Sequence, residues 1–164
     1  MQREDYLLRM IGQMGRVLAA IRRKLLEGKN AEAGDELEHA ARKGGLDLAL
    51  VIALDEPSLE PLLRTGGEID RPKCAFFAEV VYLEWRRQLA MGRLPQAERC
   101  ARRALLLYAL AYYEGIVMDD ATRRRIAELE GEIEPGELDD EAPPPAPTAL
   151  PPRSASPAAR RCPP

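Results

Sequence analysis

The sequence predicts an all-α fold, with about six to seven helices in antiparallel hairpins and then a disordered proline-rich tail. Three observations carry this. Apolar residues recur at spacings of three and four through most of residues 1–133, as they do on helices with one buried face. Glycines separate the stripes, where a helix end needs a left-handed residue. Pro57, Pro61, Pro72 and Pro95 are the only ones of 14 prolines to precede residue 135. The expected division is a helical body over 1–133 and a tail over 134–164.

The first predicted helix covers residues 3–27. Leu7, Met10, Ile11, Met14, Val17, Leu18, Ile21 and Leu25 form its stripe. Glu4 and Asp5 suit the positive end of the helix dipole, and Arg22, Arg23 and Lys24 suit the negative end. Gly28 closes it. Gly12 and Gly15 cost about 1 kcal/mol each relative to Ala, so a neighbouring helix is expected to approach closely there. A stripe this long also fits a second copy of the chain. A second helix follows over 31–43, capped by Asn30, with Ala33, Leu37, Ala40 and Ala41 inward and Gly44-Gly45 at its end. Residues 46–54 are apolar enough for a strand, but no partner strand is expected, so helix is preferred. Pro57 and Pro61 bracket a short helix through Leu62-Leu63, and Thr65-Gly66-Gly67 stops it.

The central pair spans residues 74–113, folded back at Met91-Gly92-Arg93-Leu94-Pro95. Asp70 caps its first helix, with Pro72 in the first turn. That helix is apolar around most of its circumference, through Cys74, Phe76, Phe77, Val80, Val81, Tyr82 and Trp85, and must be buried. The second helix places Ala97, Cys100, Ala101, Ala104, Leu105, Tyr108 and Ala111 on one stripe. Glu98, Arg99, Arg102 and Arg103 take the opposite face. A last helix runs from Asp119-Asp120 to about Glu132, with Ile126, Leu129 and Ile133 inward. The tail cannot bury enough apolar surface to offset its ordering entropy. Its Pro143-Pro144-Pro145-Ala146-Pro147 run is either a solubilising segment or an extended ligand for an aromatic groove.

At 164 residues and a formal net charge of −3, the chain lacks the basic balance of a nucleic-acid binder. Cys74, Cys100 and Cys162 form no C-x-x-C pair, which argues against a disulfide framework or structural zinc. The first two lie on apolar stripes, and a reducing, cytoplasmic setting is expected. No signal peptide is evident, and the longest apolar run, residues 104–113, is half a membrane span. His39 stands alone, the serines occupy no nucleophile elbow, and the Gly-Gly pairs lack the Lys-Ser/Thr of a phosphate loop. These absences predict no catalytic, metal or cofactor site, and a non-enzyme.

Gly28, Ala33, Leu37 and Ala40 match Gly92, Ala97, Ala101 and Ala104 without a gap, at an offset of 64 residues. Gly92, Leu94, Ala97, Ala101, Ala104 and Leu105 resemble the second half of the tetratricopeptide repeat. The first-half Leu-Gly pair is missing, falling on Glu84-Trp85 and on Ala20-Ile21. The body over 2–132 also resembles a bacterial family of small helical proteins with no established activity. It shares with them the Asp-Tyr-Leu-Leu-Arg-Met-Ile segment at 5–11, the Gly-Gly-Glu-Ile-Asp connector at 66–70 and the Gly-x-x-x-x-Ala hairpin.

The repeat resemblance implies that the first helix of each pair lines a concave face. Glu79, Tyr82 and Arg86 would then face a groove, joined by Leu18 and Arg22, where an arginine beside a tyrosine holds a partner's carboxylate or backbone. The alternative is that Tyr82 is core and Arg86 a surface charge. The leading expectation is a non-enzymatic protein-interaction or scaffold module, binding a protein or peptide, or itself as a homodimer through the first helix. The competing reading is a nucleic-acid-associated regulator using Arg99, Arg102, Arg103, Arg123, Arg124 and Arg125 on phosphates. A third is an enzyme or small-ligand carrier with an apolar pocket between the central hairpin and the first helix. No membrane partner is expected.

Overall fold

The computed structural model describes residues 2–113 and 117–133, with side chains from Gly12 onward. The predicted tail, and the stripe positions Leu7, Met10 and Ile11 as side chains, lie outside the described residues. The described chain is all-α. Its elements are α1 (Gln2–Leu26), α2 (Asn30–Lys43), α3 (Leu48–Ala53), α4 (Glu56–Leu59), a 3-10 turn (Glu60–Leu63), β1 (Arg64–Thr65), β2 (Glu68–Ile69), α5 (Arg71–Ala90), α6 (Leu94–Ala111) and α7 (Asp120–Glu132).

Two antiparallel hairpins dominate. α1 turns into α2 at Gly28, and α5 into α6 at Gly92, with φ of 75° and 69°. Both are left-handed conformations, which a side chain would strain. The turns close alike: Gly28 N–H donates to Leu25 O and Gly92 N–H to Leu89 O. α2 packs on α5, and α7 on α6. α5 is the central element, with Phe77, Ala78, Val80, Val81 and Leu83 fully buried. Full burial of each large apolar side chain contributes about 1.5–3 kcal/mol. The α2 end is tight against this helix, since a Cβ on Gly44 would lie 2.6 Å from Phe76 Cε1.

Residues 46–54 resolve as helix, shortened to α3 because Leu54 turns extended (ψ 144°) before α4. Asn30 is the first residue of α2 rather than its cap, and its Oδ1 is buried without a partner. Asp70 caps α5 through Lys73 N (3.0 Å), and Asp119 caps α7 through Thr122 N (2.6 Å). Two further expectations need correction. β1 and β2 form a two-residue antiparallel ribbon where only a turn was foreseen. Gly66 and Gly67 both adopt positive φ (65° and 89°), the backbone that closes a two-residue hairpin. Nor does any neighbour crowd Gly12 or Gly15, because among the described residues nothing lies within 4 Å of a Cβ built on either.

One ionic group is sunk into the core. Glu84, 5% exposed, accepts from Arg87 Nε at 2.7 Å and Arg87 Nη2 at 2.8 Å, and also from Gln88 Nε2. The Glu84 carboxylate raises the Arg87 pKa above its ordinary value against the pull of burial. Gly34 of α2 makes room, since a Cβ there would stand 2.8 Å from Arg87 Nη1. Cys74 and Cys100 are buried free thiols, pushed up to about 11 and about 12 chiefly by burial.

Candidate functional site

α1, α5 and α7 face one another across a cleft of about 580 Å³. Its apolar floor is Leu18 and Phe76, with Met14 and Ala75 beside them. The spacing of three and four that aims Leu18 and Ile21 inward brings Gly15, Ala19 and Arg22 to the cleft side of α1. Gly15 adds no side chain and Ala19 a single methyl, so the α1 wall stays low.

Charge gathers at one end. Glu79 of α5, 17% exposed as a side chain, is the hub. Tyr108 Oη donates to its Oε1 at 2.8 Å, and Arg125 of α7 donates to the same oxygen. Arg22 Nη2 lies 3.8 Å from Oε2, with its side chain 40% exposed. Burial, with the Glu79 charge and hydrogen bond, drives the Tyr108 hydroxyl well above its usual range. Arg125 is pulled down by burial, but Glu79 and Tyr108 outweigh that and hold it above its ordinary value. The Arg125 guanidinium also stands 5.8 Å from the Tyr82 ring centre. Two donors on one oxygen therefore fix the Glu79 carboxylate in place. The one loosely held member of the hub is Arg22, which can offer its fork to an incoming carboxylate.

The structure unites some predicted residues and separates others. Glu79, Arg22 and Leu18 meet at the cleft. Tyr82 is core, 3% exposed, and its hydroxyl donates to Glu128 Oε2 at 2.5 Å. Burial and that bond raise its pKa. Arg86 is exposed, lies against the Tyr82 hydroxyl, and with Trp85, Leu89, Glu128 and Gly131 lines a second hollow apart from the cleft. The arginine clusters point to different neighbours. Arg99 is exposed on α6, and Arg102 pairs with Glu98 at 2.8 Å. Arg103 is half-buried and donates to Leu54 O, its pKa lowered by burial. Arg123 donates to Met118 O at 2.9 Å and Arg124 is exposed, whereas Arg125 belongs to the cleft.

Sequence reasoning missed Tyr108 and Arg125 as partners of Glu79. One signal was available: a tyrosine on the inner stripe of α6 must find a partner for its hydroxyl. Among the described residues, no group of His, Cys, Asp or Glu is placed to hold a metal, and no helix is long and apolar enough to cross a membrane. No protein-family model, curated protein or solved structure matches the chain.

Proposed function

We propose that the chain is a non-enzymatic partner-binding module that works through the cleft between α1, α5 and α7. The observation that carries this is the cleft's make-up. Three helices wall an apolar floor of Leu18 and Phe76, and one end holds a prebuilt ionic hub with a half-exposed arginine. That composition suits a segment with apolar anchors and an acidic group, since the floor supplies area and Arg22 supplies direction. The hub itself offers no nucleophile, because Glu79 Oε1 already accepts two donors and Tyr108 is deeply buried. We read the hairpins bent at Gly28 and Gly92 as tetratricopeptide-like units whose first helices form this wall. We assign the module to the cytoplasm, where the buried thiols Cys74 and Cys100 stay reduced.

The test uses the full chain as bait beside a variant carrying Ala19→Glu and Arg22→Glu. Both substitutions keep good helix formers at α1 positions outside the core, and a thermal melt alongside checks that the variant, which gives up the 3.8 Å Arg22–Glu79 pair, is still folded. The expected result is that wild type retains a partner, either another protein or a second copy, that the variant loses. A wild-type bait that retains neither overturns the proposal.

A further inference from the structure

We propose that Met91 is a site of reversible oxidation, at which the sulfoxide oxygen takes over Arg87 Nη1 and tightens the α5–α6 turn. The site is separate from the partner-binding cleft, whose lining includes neither Arg87 nor Met91.

One nitrogen of Arg87 is poorly served. Nε and Nη2 donate to the Glu84 carboxylate at 2.7 Å and 2.8 Å. Nη1 has a single acceptor among the described residues, the Met91 sulfur at 3.9 Å. A thioether is a weak acceptor, and this contact is long. The nitrogen is not free to turn elsewhere. The fork on Glu84 fixes the plane of the guanidinium. Gly34 of α2 stands so close that a Cβ there would lie 2.8 Å from Nη1. Glu38 adds only a weaker pull on Arg87 and is itself bonded to Arg42 at 3.1 Å. With the Arg87 side chain 18% exposed, a strong acceptor is what this position lacks.

Met91 presents its sulfur from a fixed frame. Residues 87 and 91 are four apart, on one face of the helix. Met91 N–H donates to Arg87 O at 3.1 Å, and Gly92, at φ 69°, turns the chain just beyond it. Met91 is half-buried beside exposed Gly92 and Arg93. A small oxidant can therefore reach the sulfur while Arg87 stays beside it.

A peroxide supplies the oxygen. Its O–O bond breaks, one oxygen bonds to the sulfur, and the remainder leaves as water or an alcohol. Sulfur gives up two electrons and the peroxide takes them. In most cores the polar sulfoxide disrupts packing. Here the new oxygen forms beside a guanidinium N–H already held in place, and a hydrogen bond from a cation is about twice as strong as a neutral one. Oxidation replaces the weakest contact of Arg87 with a strong one and takes neither prong from Glu84. Methionine sulfoxide reductases reverse the step.

The experiment treats the full chain and a Met91→Leu variant alike with dilute hydrogen peroxide, maps the oxygen by peptide mass spectrometry and melts both. Met91 should carry oxygen, and the melting temperature of the wild type should move upward relative to that of the variant by about 2–6 °C. Sulfoxide reductases should return it. In a Glu84→Leu, Arg87→Leu background, which has no guanidinium, the Met91-dependent shift should vanish or turn downward. Met91→Gln, which sets an amide oxygen near Nη1 without any oxidant, should melt at or above Met91→Leu. A Met91 that stays unoxidised after Met14 and Met118 have reacted overturns the inference. So does a downward relative shift in the wild type, an upward shift that persists without Arg87, or a Met91→Gln chain that melts below Met91→Leu.

Discussion

Arg87→Ala isolates the contribution of the buried ionic group. The substitution strips Glu84 of its two-pronged partner and leaves Gln88 as the remaining donor. Leaving one charge of a buried pair uncompensated costs about 3–5 kcal/mol. Here the Arg87 side chain is 18% exposed and that of Glu84 6%, so water reaches the edge of the pair and about 2–3 kcal/mol is the better figure. In a domain of this size that lowers the melting temperature by about 6–12 °C. Replacing both partners, Glu84→Leu with Arg87→Leu, removes the charge along with its counter-ion and should fall within about 1 kcal/mol of wild type. Urea unfolding followed by far-ultraviolet circular dichroism reads both variants at matched slope. An Arg87→Ala loss under about 0.5 kcal/mol would place the pair with ordinary surface ion pairs and refute the argument.

Three further outcomes follow from the same coordinates. Gly44→Ala should cost about 1–3 kcal/mol in a urea melt, because its methyl meets the Phe76 ring at 2.6 Å and the Phe77 ring at 3.0 Å. Gly92→Ala should cost about 1 kcal/mol by placing a side chain at φ 69°, whereas Gly12→Ala, measured at concentrations where the chain is monomeric, should gain about 0.5–1 kcal/mol. Burial raises the thiols of Cys74 and Cys100 to about 11 and about 12, from an ordinary value of 9.0. The folded state therefore keeps protons that the unfolded chain gives up, and stability should fall as pH rises from about 9 toward 11. A melt series in a Cys74→Ala, Cys100→Ala background should lose that part of the slope.

Much of the fold was legible because burial writes a period into the sequence. The stripes on α2, α5 and α6 name residues that are buried, and the glycines at 28 and 92 mark the bends. What escaped was long-range polar pairing. Glu84 occupies a position where a periodic reading expects either an apolar side chain or a solvated charge, and nothing local reveals that Arg87 folds over it against Gly34. Arg103 was expected outward with its neighbours on α6, yet the carbonyl of Leu54, just past the end of α3, captures it. Tyr82 was a groove candidate and proved to be core, because α7 delivers Glu128 to its hydroxyl. Gly12 and Gly15 were expected to admit a neighbouring helix, but none of the described residues lies within 4 Å of a Cβ built on either.

The central claim is that the face made by α1, α5 and α7 is a binding surface. Amide nitrogen–proton spectra of the full chain, recorded across a dilution series and again with the partner retained by the wild-type bait added, test it most directly. The account predicts, in one of the two series, shifts gathered at Gly15, Ala19, Arg22, Ala75, Glu79 and Arg125. Spectra that change in neither series, or shifts gathered instead at Glu98, Arg99 and Arg102 on α6, would contradict it.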